Sequence, residues 1–343
     1  MSRNYLITGG AGFIGSNYCH RLLSRGENVR IFDNLSREGT EKNLEWLYAE
    51  FGNKSFDFVQ ADIRDQNQIQ VSAQDADVIV HLAGQVAVTT SVVNPRDDFE
   101  VNALGTFNVL EAARLSGKQP VFIYASTNKV YGGMDDLVVL EGKSQYTYQD
   151  FPFGISEARL LDFHSPYGCS KGSGDQYVRD YARIYGLPSV VLRQSCIYGP
   201  RQFGIEDQGW VAWFIIASIM GKPISIFGNG KQVRDLLYIE DLLDVYDLVI
   251  SKNEESRGKV FNIGGGIENT MSVWADFGPI LSDILDKPLS VNFKDWRPGD
   301  QKIYVSDIRK AEKILGWNPK TSVKLGIQKL TKWVEENQHL FLR

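Results

Sequence analysis

The chain is poor in cysteine. Cys19, Cys169 and Cys196 are the three in 343 residues, too few and too unevenly spaced for a disulfide framework or a zinc site. Their scarcity fits a reduced, cytoplasmic protein with no bound metal. An excess of basic residues is also missing. The 37 Lys and Arg stand against 42 Asp and Glu, a net charge of −5, which gives no footing for a nucleic-acid partner. An anionic ligand must then be held by a few placed cations. Long apolar runs are lacking too. The first, around Tyr5-Leu6-Ile7-Thr8, is too short for a signal-peptide core or a membrane span, so no membrane partner is expected. Repeats and low-complexity segments are absent. The chain has an ordinary globular balance, 43% hydrophobic and 23% charged, and is long enough for one large domain or two smaller ones.

The first half alternates short apolar runs with amphipathic stretches. Tyr5-Leu6-Ile7-Thr8, Val29-Arg30-Ile31-Phe32, Phe56-Asp57-Phe58-Val59, Val78-Ile79-Val80-His81-Leu82, Val121-Phe122-Ile123-Tyr124 and Ser189-Val190-Val191-Leu192-Arg193 read as strands. Helices are expected from Phe13 to Arg25, where Gly26 ends the first, and from about Ser173 to Tyr185. Strands alternating with helices imply an α/β fold of Rossmann type, a doubly wound parallel sheet covered on both faces. After Gly199-Pro200 the segments shorten and carry more Gly, Pro and Trp. The expected division is a dinucleotide domain at 1–195, with a returning segment near 232–262, and a smaller α/β substrate domain at 196–343.

The run Thr8-Gly9-Gly10-Ala11-Gly12-Phe13-Ile14-Gly15 follows a strand and opens a helix. Gly9 allows a tight turn, Gly12 lets a pyrophosphate approach the backbone, and Gly15 lets helix and strand pack closely. Phosphates would sit on the unpaired N–H groups around Phe13 and Ile14, at the positive end of the helix dipole. Asp33 closes the second strand, about 20 residues on, where an acid can bond a ribose diol. A carboxylate there repels a 2′-phosphate, so NAD is expected rather than NADP, although Arg37 lies nearby. Asn34 belongs to the same turn. Asp62-Ile63 could meet the adenine, and Leu82-Ala83-Gly84 could lie against the cofactor with little side-chain bulk.

Tyr167-Gly168-Cys169-Ser170-Lys171 sets a phenol and an ammonium four residues apart, on one face of a helix. A phenol of pKa about 10 is a poor base at neutral pH, and an adjacent cation favours its ionised form. Cys169, between them, is expected to face the helix interior. Ala125-Ser126-Thr127 ends a sheet strand and can bring a hydroxyl beside the phenol.

Glycine loop, strand-end hydroxyl and Tyr-x-x-x-Lys, in this order and spacing, resemble the short-chain dehydrogenases/reductases. Arg193…Tyr198-Gly199-Pro200-Arg201, Gly228-Asn229-Gly230…Arg234-Asp235…Tyr238-Ile239-Glu240-Asp241 and Arg297-Pro298-Gly299-Asp300 are similar to segments of the extended, nucleotide-sugar-modifying branch. The resemblance spans nearly the whole chain. It implies Tyr167 as acid/base, Lys171 as its tuner and ribose contact, and Thr127 as the catalytic hydroxyl. It adds Asn102 to the cofactor contacts. It assigns Ser126, Gln85, His164, Ser195, Arg201, Gln208, Arg234 and Arg297 to the sugar nucleotide, with Arg234 and Arg297 on the diphosphate, where a guanidinium fork suits. It further implies a homodimer or homotetramer formed through helices near Val101–Leu115 and Ser173–Tyr185.

Members of this branch oxidise a sugar hydroxyl with NAD and differ in the next step. Its 4,6-dehydratases carry Thr-Asp-Glu where this chain has Thr127-Asn128-Lys129. Asn128 cannot donate a proton as an acid does, so epimerisation is expected instead. His81-Leu82-Ala83-Gly84-Gln85-Val86-Ala87, Ser126-Thr127-Asn128-Lys129-Val130-Tyr131-Gly132, Leu161-Asp162-Phe163-His164 before Tyr167, and Asp207-Gln208-Gly209-Trp210-Val211 look most like the branch's CDP-paratose 2-epimerases. That resemblance implies inversion at C2 of CDP-paratose to give CDP-tyvelose, a sugar of lipopolysaccharide O-antigens. Three alternatives stay open: a UDP-hexose 4-epimerase, a net nucleotide-sugar oxidoreductase, and a non-catalytic NAD-binding regulator.

Overall fold

The computed structural model describes residues 2–297 and 300–342. It contains two compact units. The first comprises Met1–Val130, Phe163–Arg193 and Leu243–Phe261, and the second Tyr131–Asp162, Gln194–Leu242 and Asn262–Arg343. Segment 131–162 thus groups with the second unit, and the returning segment of the first is 243–261.

The first unit is built on strands β1 (Asn4–Thr8), β2 (Asn28–Asp33), β3 (Asp57–Gln60), β4 (Val78–His81), β5 (Val121–Thr127), β6 (Ser189–Gln194) and β7 (Val260–Ile263). They form one seven-stranded sheet in the order β3-β2-β1-β4-β5-β6-β7, the α/β, Rossmann-like arrangement expected from the alternating pattern. β1 pairs in parallel with both β2 and β4. The order reverses there, which makes the carboxyl ends of β1 and β4 the switch point at which such sheets bind ligands. The strands are apolar on both faces because helices cover both. Leu6, Ile79, Phe122 and Val191 meet Val109, Leu110 and Val178 from the helices in one core.

Three helices matter for the site. α1 (Phe13–Ser24) starts directly at the glycine loop. α2 (Thr106–Leu115) continues a helical run that opens at Pro95, with Asn94 capping the Asp97 N–H, and passes through a π turn at Glu100–Gly105. α3 (Ser165–Tyr185) has a proline in its first turn and ends at Gly186 in the left-handed region. The returning segment packs onto α1. Tyr18 and Tyr246 meet edge to face at 5.2 Å, and Arg21 bonds Asp244 and Asp247.

The second unit has a three-stranded sheet in which Val233–Asp235 lies between Thr270–Ser272 and Ile303–Tyr304. Its core includes an aromatic cluster of Trp210, Phe214, Trp274 and Phe277. Buried Trp317 donates its indole N–H to the Asp241 carbonyl. Among the described residues no helix is long and apolar enough to cross a membrane.

Candidate active site

The loop after β1 turns at Gly9, whose φ is +70° and whose N–H donates to the Phe32 carbonyl at 2.8 Å. A Cβ on Gly9 would stand 2.7 Å from the Ala83 nitrogen, and one on Gly15 would overlap the Gly9 carbonyl oxygen. These two positions admit only glycine. Gly12 is different: its Cβ would touch only the Gly9 oxygen, at 3.2 Å, so the space over it is open. Gly12 is also the N-cap of α1, and no side chain caps that end. The first-turn N–H groups, from Phe13 and Ile14 onward, are left for an anion. Asp33, buried at the end of β2, accepts N–H bonds from Ala11 at 3.0 Å and Leu35 at 2.9 Å. Burial raises its pKa while those backbone donors oppose the rise. An uncapped helix start, a floor without side chains and a fixed carboxylate fit a dinucleotide.

Around this loop Asn34 donates to Asp62 at 2.8 Å. Burial would raise the Asp62 pKa, but bonds from Arg64 and Asn34 hold it down, to about 2. Ile63 does not turn toward the loop. Its side chain lies in the core, and its carbonyl accepts from Asn108 at 3.0 Å, so only its backbone is available to a cofactor. Leu82 and Ala83 lie half-buried beneath Gly9, with the Leu82 N–H on the Thr8 carbonyl at 3.0 Å. Arg37 is exposed, and its charge acts on the Tyr167 phenol.

Thr127, Tyr167 and Lys171 come together, all buried, from the end of β5 and the start of α3. Tyr167 is hydrogen-bonded to Thr127, whose hydroxyl also accepts the Lys129 N–H and donates to Asn128. Burial pushes the phenol up to about 12; Thr127 and Arg37 pull it down and Asp98 raises it. Burial drives Lys171 the other way, down to about 7, against the pull of Asp175 and Asp98. The lysine is therefore the more perturbed of the two. Its ammonium sits 4.3 Å from the Tyr124 ring centre. Ser126, expected to meet the substrate, is committed elsewhere. Its hydroxyl donates to Asp175 at 2.8 Å, beside the buried pair between Asp175 and Arg193.

The Gln85 amide folds back onto the Ala87 backbone of its own loop. Asn102, in the π turn, donates to the Gln85 carbonyl at 2.9 Å and to Asp98 at 3.1 Å. A Cβ on Gly84 would lie 2.8 Å from the Asn102 Oδ1 and 3.9 Å from the Lys171 ammonium. His164 is the N-cap of α3, exposed, and its ring does not cap the helix. The Phe163 ring lies on Gly172 and fills the space a Cβ there would need. Cys169 is exposed rather than turned inward.

In the second unit each cation assigned to the diphosphate is already on a carboxylate. Arg234 pairs with Asp300 at 3.2 Å. Arg297 pairs with Asp207 at 2.8 Å and stacks 3.7 Å from the Phe227 ring centre. Pro298 and Gly299 of the Arg297–Asp300 segment lie outside the described residues. Ser195 donates to buried Asp235 at 2.7 Å. Asp235 is raised to about 6 by burial, against the bonds it receives. Arg201 has a φ of +67° and lies 5.6 Å from the Trp333 ring centre. Gln208 is half-buried and exchanges backbone bonds with Ile205.

The family described as GDP-mannose 4,6 dehydratase matches residues 6–330. CDP-paratose 2-epimerase of Salmonella typhi is 46% identical over 96% of this chain and 98% of its own. The chain belongs to the NAD-dependent epimerase/dehydratase family. It is an enzyme of the isomerase kind. A putative UDP-glucose 4-epimerase of Methanocaldococcus jannaschii is 34% identical over 97% of this chain and 98% of its own. The Bacillus cereus UDP-glucuronic acid 4-epimerase, solved with UDP-glucuronic acid and NAD, is 30% identical and superposes with a TM-score of 0.83, covering 97% of this chain and 99% of its own.

Within this family member, two groups beside the reactive cluster escaped the sequence reading. Asp98 bonds both Ser170 and Asn102. His81 lies fully buried between the hydroxyls of Thr8, at 2.6 Å, and Thr106, at 3.0 Å. Burial lowers its pKa to about 3, with the Lys171 charge adding to the effect. The signal for Asp98 was its place four residues before Asn102, on one helical face.

Proposed function

We propose that this chain is an NAD-dependent epimerase that inverts C2 of CDP-paratose to give CDP-tyvelose. The buried Thr127–Tyr167–Lys171 cluster beside an uncapped, glycine-floored helix start carries the epimerase chemistry. The substrate reading rests on the Salmonella typhi relative. NAD, when bound, would supply a hydride acceptor and donor.

The chain's own groups do the rest. Tyr167 takes the proton of the sugar hydroxyl as hydride leaves C2 and returns it when hydride comes back to the opposite face. Thr127 holds the same oxygen in line. Lys171 would hold the nicotinamide ribose and favour the ionised form of the phenol. Arg234 and Arg297 exchange Asp300 and Asp207 for the diphosphate. Asp33, Asn34 and the Gly9–Gly15 loop hold the dinucleotide, and the Asp33 carboxylate favours NAD. No net redox change occurs, so one tightly held cofactor serves many turnovers.

We also propose a homodimer or homotetramer through the exposed apolar residues of the π turn, α2 and α3. Leu104, Phe107, Tyr177 and Ile184 are exposed there, and Phe107 and Tyr177 meet edge to face at 5.8 Å. Such a patch on one face marks an interface. The three free thiols suit a cytoplasmic setting.

The test is direct. Purified protein without added cofactor is incubated with CDP-paratose or with UDP-glucose, and the sugars are identified by NMR. Conversion of the CDP-sugar alone, inverted at C2, supports the proposal. Conversion of UDP-glucose at C4 instead selects the second reading, a UDP-hexose 4-epimerase, which the Methanocaldococcus and Bacillus relatives favour. Accumulation of reduced nicotinamide during turnover would replace both with a net oxidoreductase.

A further inference from the structure

We propose that Asp98 is a positioning residue of this site, clamping Ser170 of α3 to Asn102 of the π turn and adding its negative charge to that of Asp175 around Lys171. This deepens the epimerase reading and rests on it for its turnover test. Asp98 is 1% exposed. Its Oδ2 accepts the Ser170 hydroxyl at 2.5 Å, and its Oδ1 accepts the Asn102 amide at 3.1 Å. Ser170 lies between Tyr167 and Lys171, so the clamp acts on the turn of α3 that carries both. A buried carboxylate is costly unless it is bonded and opposed by positive charge. Here two neutral donors leave Lys171 to oppose it.

Asn102 extends the clamp. Its Nδ2 is held by both Asp98 and the Gln85 carbonyl, which directs its Oδ1 toward Gly84. That oxygen is buried and has no partner among the described residues. An open buried acceptor costs free energy, and a hydroxyl of a bound ligand would satisfy it. Asp98 thus orients an acceptor on one side and the Tyr167–Lys171 turn on the other. The charged and titratable groups facing it are Lys171, Tyr167, Tyr124 and Asp97; Asp175, His81 and Tyr124 also face Lys171, and Arg37 faces Tyr167.

The experiment compares holoprotein of the wild type with Asp98→Asn, Ser170→Ala and the double variant. For each, kcat and KM are measured with the sugar nucleotide the wild type turns over. The Lys171 resonance is titrated by NMR in protein labelled at lysine Cε, with Lys171→Arg to assign it. The expected result for Asp98→Asn is a fall in kcat of about tenfold or more, with KM within about threefold. The double variant should be no worse than the poorer single one, because both break one clamp. Lys171 should lose its proton at lower pH, since one of the two anions that favour its charged form, with Asp175, is gone. Unchanged kcat with an unmoved Lys171 titration, even if thermal stability drops, would overturn the proposal. If Asp98→Asn does not fold, Ser170→Ala decides: an unchanged kcat there sinks the clamp. If the wild type turns over no sugar nucleotide, the epimerase reading falls, and the Lys171 titration alone judges Asp98.

Discussion

The two units hold their polar groups by opposite rules. In the first, Thr127, Tyr167, Lys171, Asp98 and Asn102 are buried, with Thr127 bonded to Tyr167 and Asp98 to Asn102 and Ser170. In the second, Arg234 and Arg297 are part-exposed and rest on Asp300 and Asp207. Buried groups keep their geometry whether or not a ligand is present, because breaking a buried bond is costly. Ion pairs open to solvent are worth about 0–1 kcal/mol, and these part-exposed ones can be exchanged for another anion. The contrast separates a preformed place for chemistry from a competitive place for recognition.

The largest effect expected on the preformed side is from Tyr167→Phe. It should keep its cofactor, read by absorbance after denaturation, and lose turnover by about 10²–10⁴-fold. Activity near the wild-type level would break the contrast at its root. Next is Gly84→Ala, whose methyl would stand 2.8 Å from the pinned Asn102 Oδ1. Turnover should fall about tenfold, and a matching fall in bound NAD would show that the strain reaches the cofactor.

On the competitive side, Asp300→Asn frees Arg234. If the pair is worth up to about 1 kcal/mol, KM for the sugar nucleotide should drop by about two- to fivefold with kcat unchanged. A raised KM would mean that Asp300 orients Arg234 rather than competing for it. The smallest effect concerns stability. His81 is held neutral, with its pKa lowered from 6.5 to about 3 by burial. A base depressed in the folded state stabilises the fold above its unfolded pKa. That contribution is lost as the pH falls below about 6.5 toward 3, because only the unfolded chain takes the proton. Thermal melts between pH 7 and 5 should show this slope, and His81→Asn should flatten it.

The same contrast governs what could be read in advance. The glycine loop and the Tyr-x-x-x-Lys pair were legible because their roles are local: a turn, a helix start and a four-residue repeat. The parallel, doubly wound sheet was legible from the alternating patterns, whereas its strand order and its seventh strand, Val260–Ile263, were not. Ion-pair partners were not legible, since Arg234 meets Asp300 from 66 residues away. Where the Ser126 and Ile63 side chains point was not legible either: adjacent residues of a strand or turn point opposite ways, and only packing says which faces the core. The Lys171 shift was hidden because desolvation depends on what surrounds the side chain, not on its sequence neighbours. Asp98 reads in sequence as an ordinary acid in a first helical turn, the usual complement of a helix dipole.

The π turn at Glu100–Gly105 has a consequence for phase. A π turn carries one residue more than the α turn it replaces, and each residue of an α-helix advances the face by about 100°. Within the turn, Asn102 directs its amide to Asp98 and Gln85; downstream, Val109, Leu110 and Ala113 turn to the core. The extra residue lets a single helical run serve both directions. Removing it would leave an unbroken α-helix with only one face to offer, and the run would have to give up either its place in the core or its hold on the site.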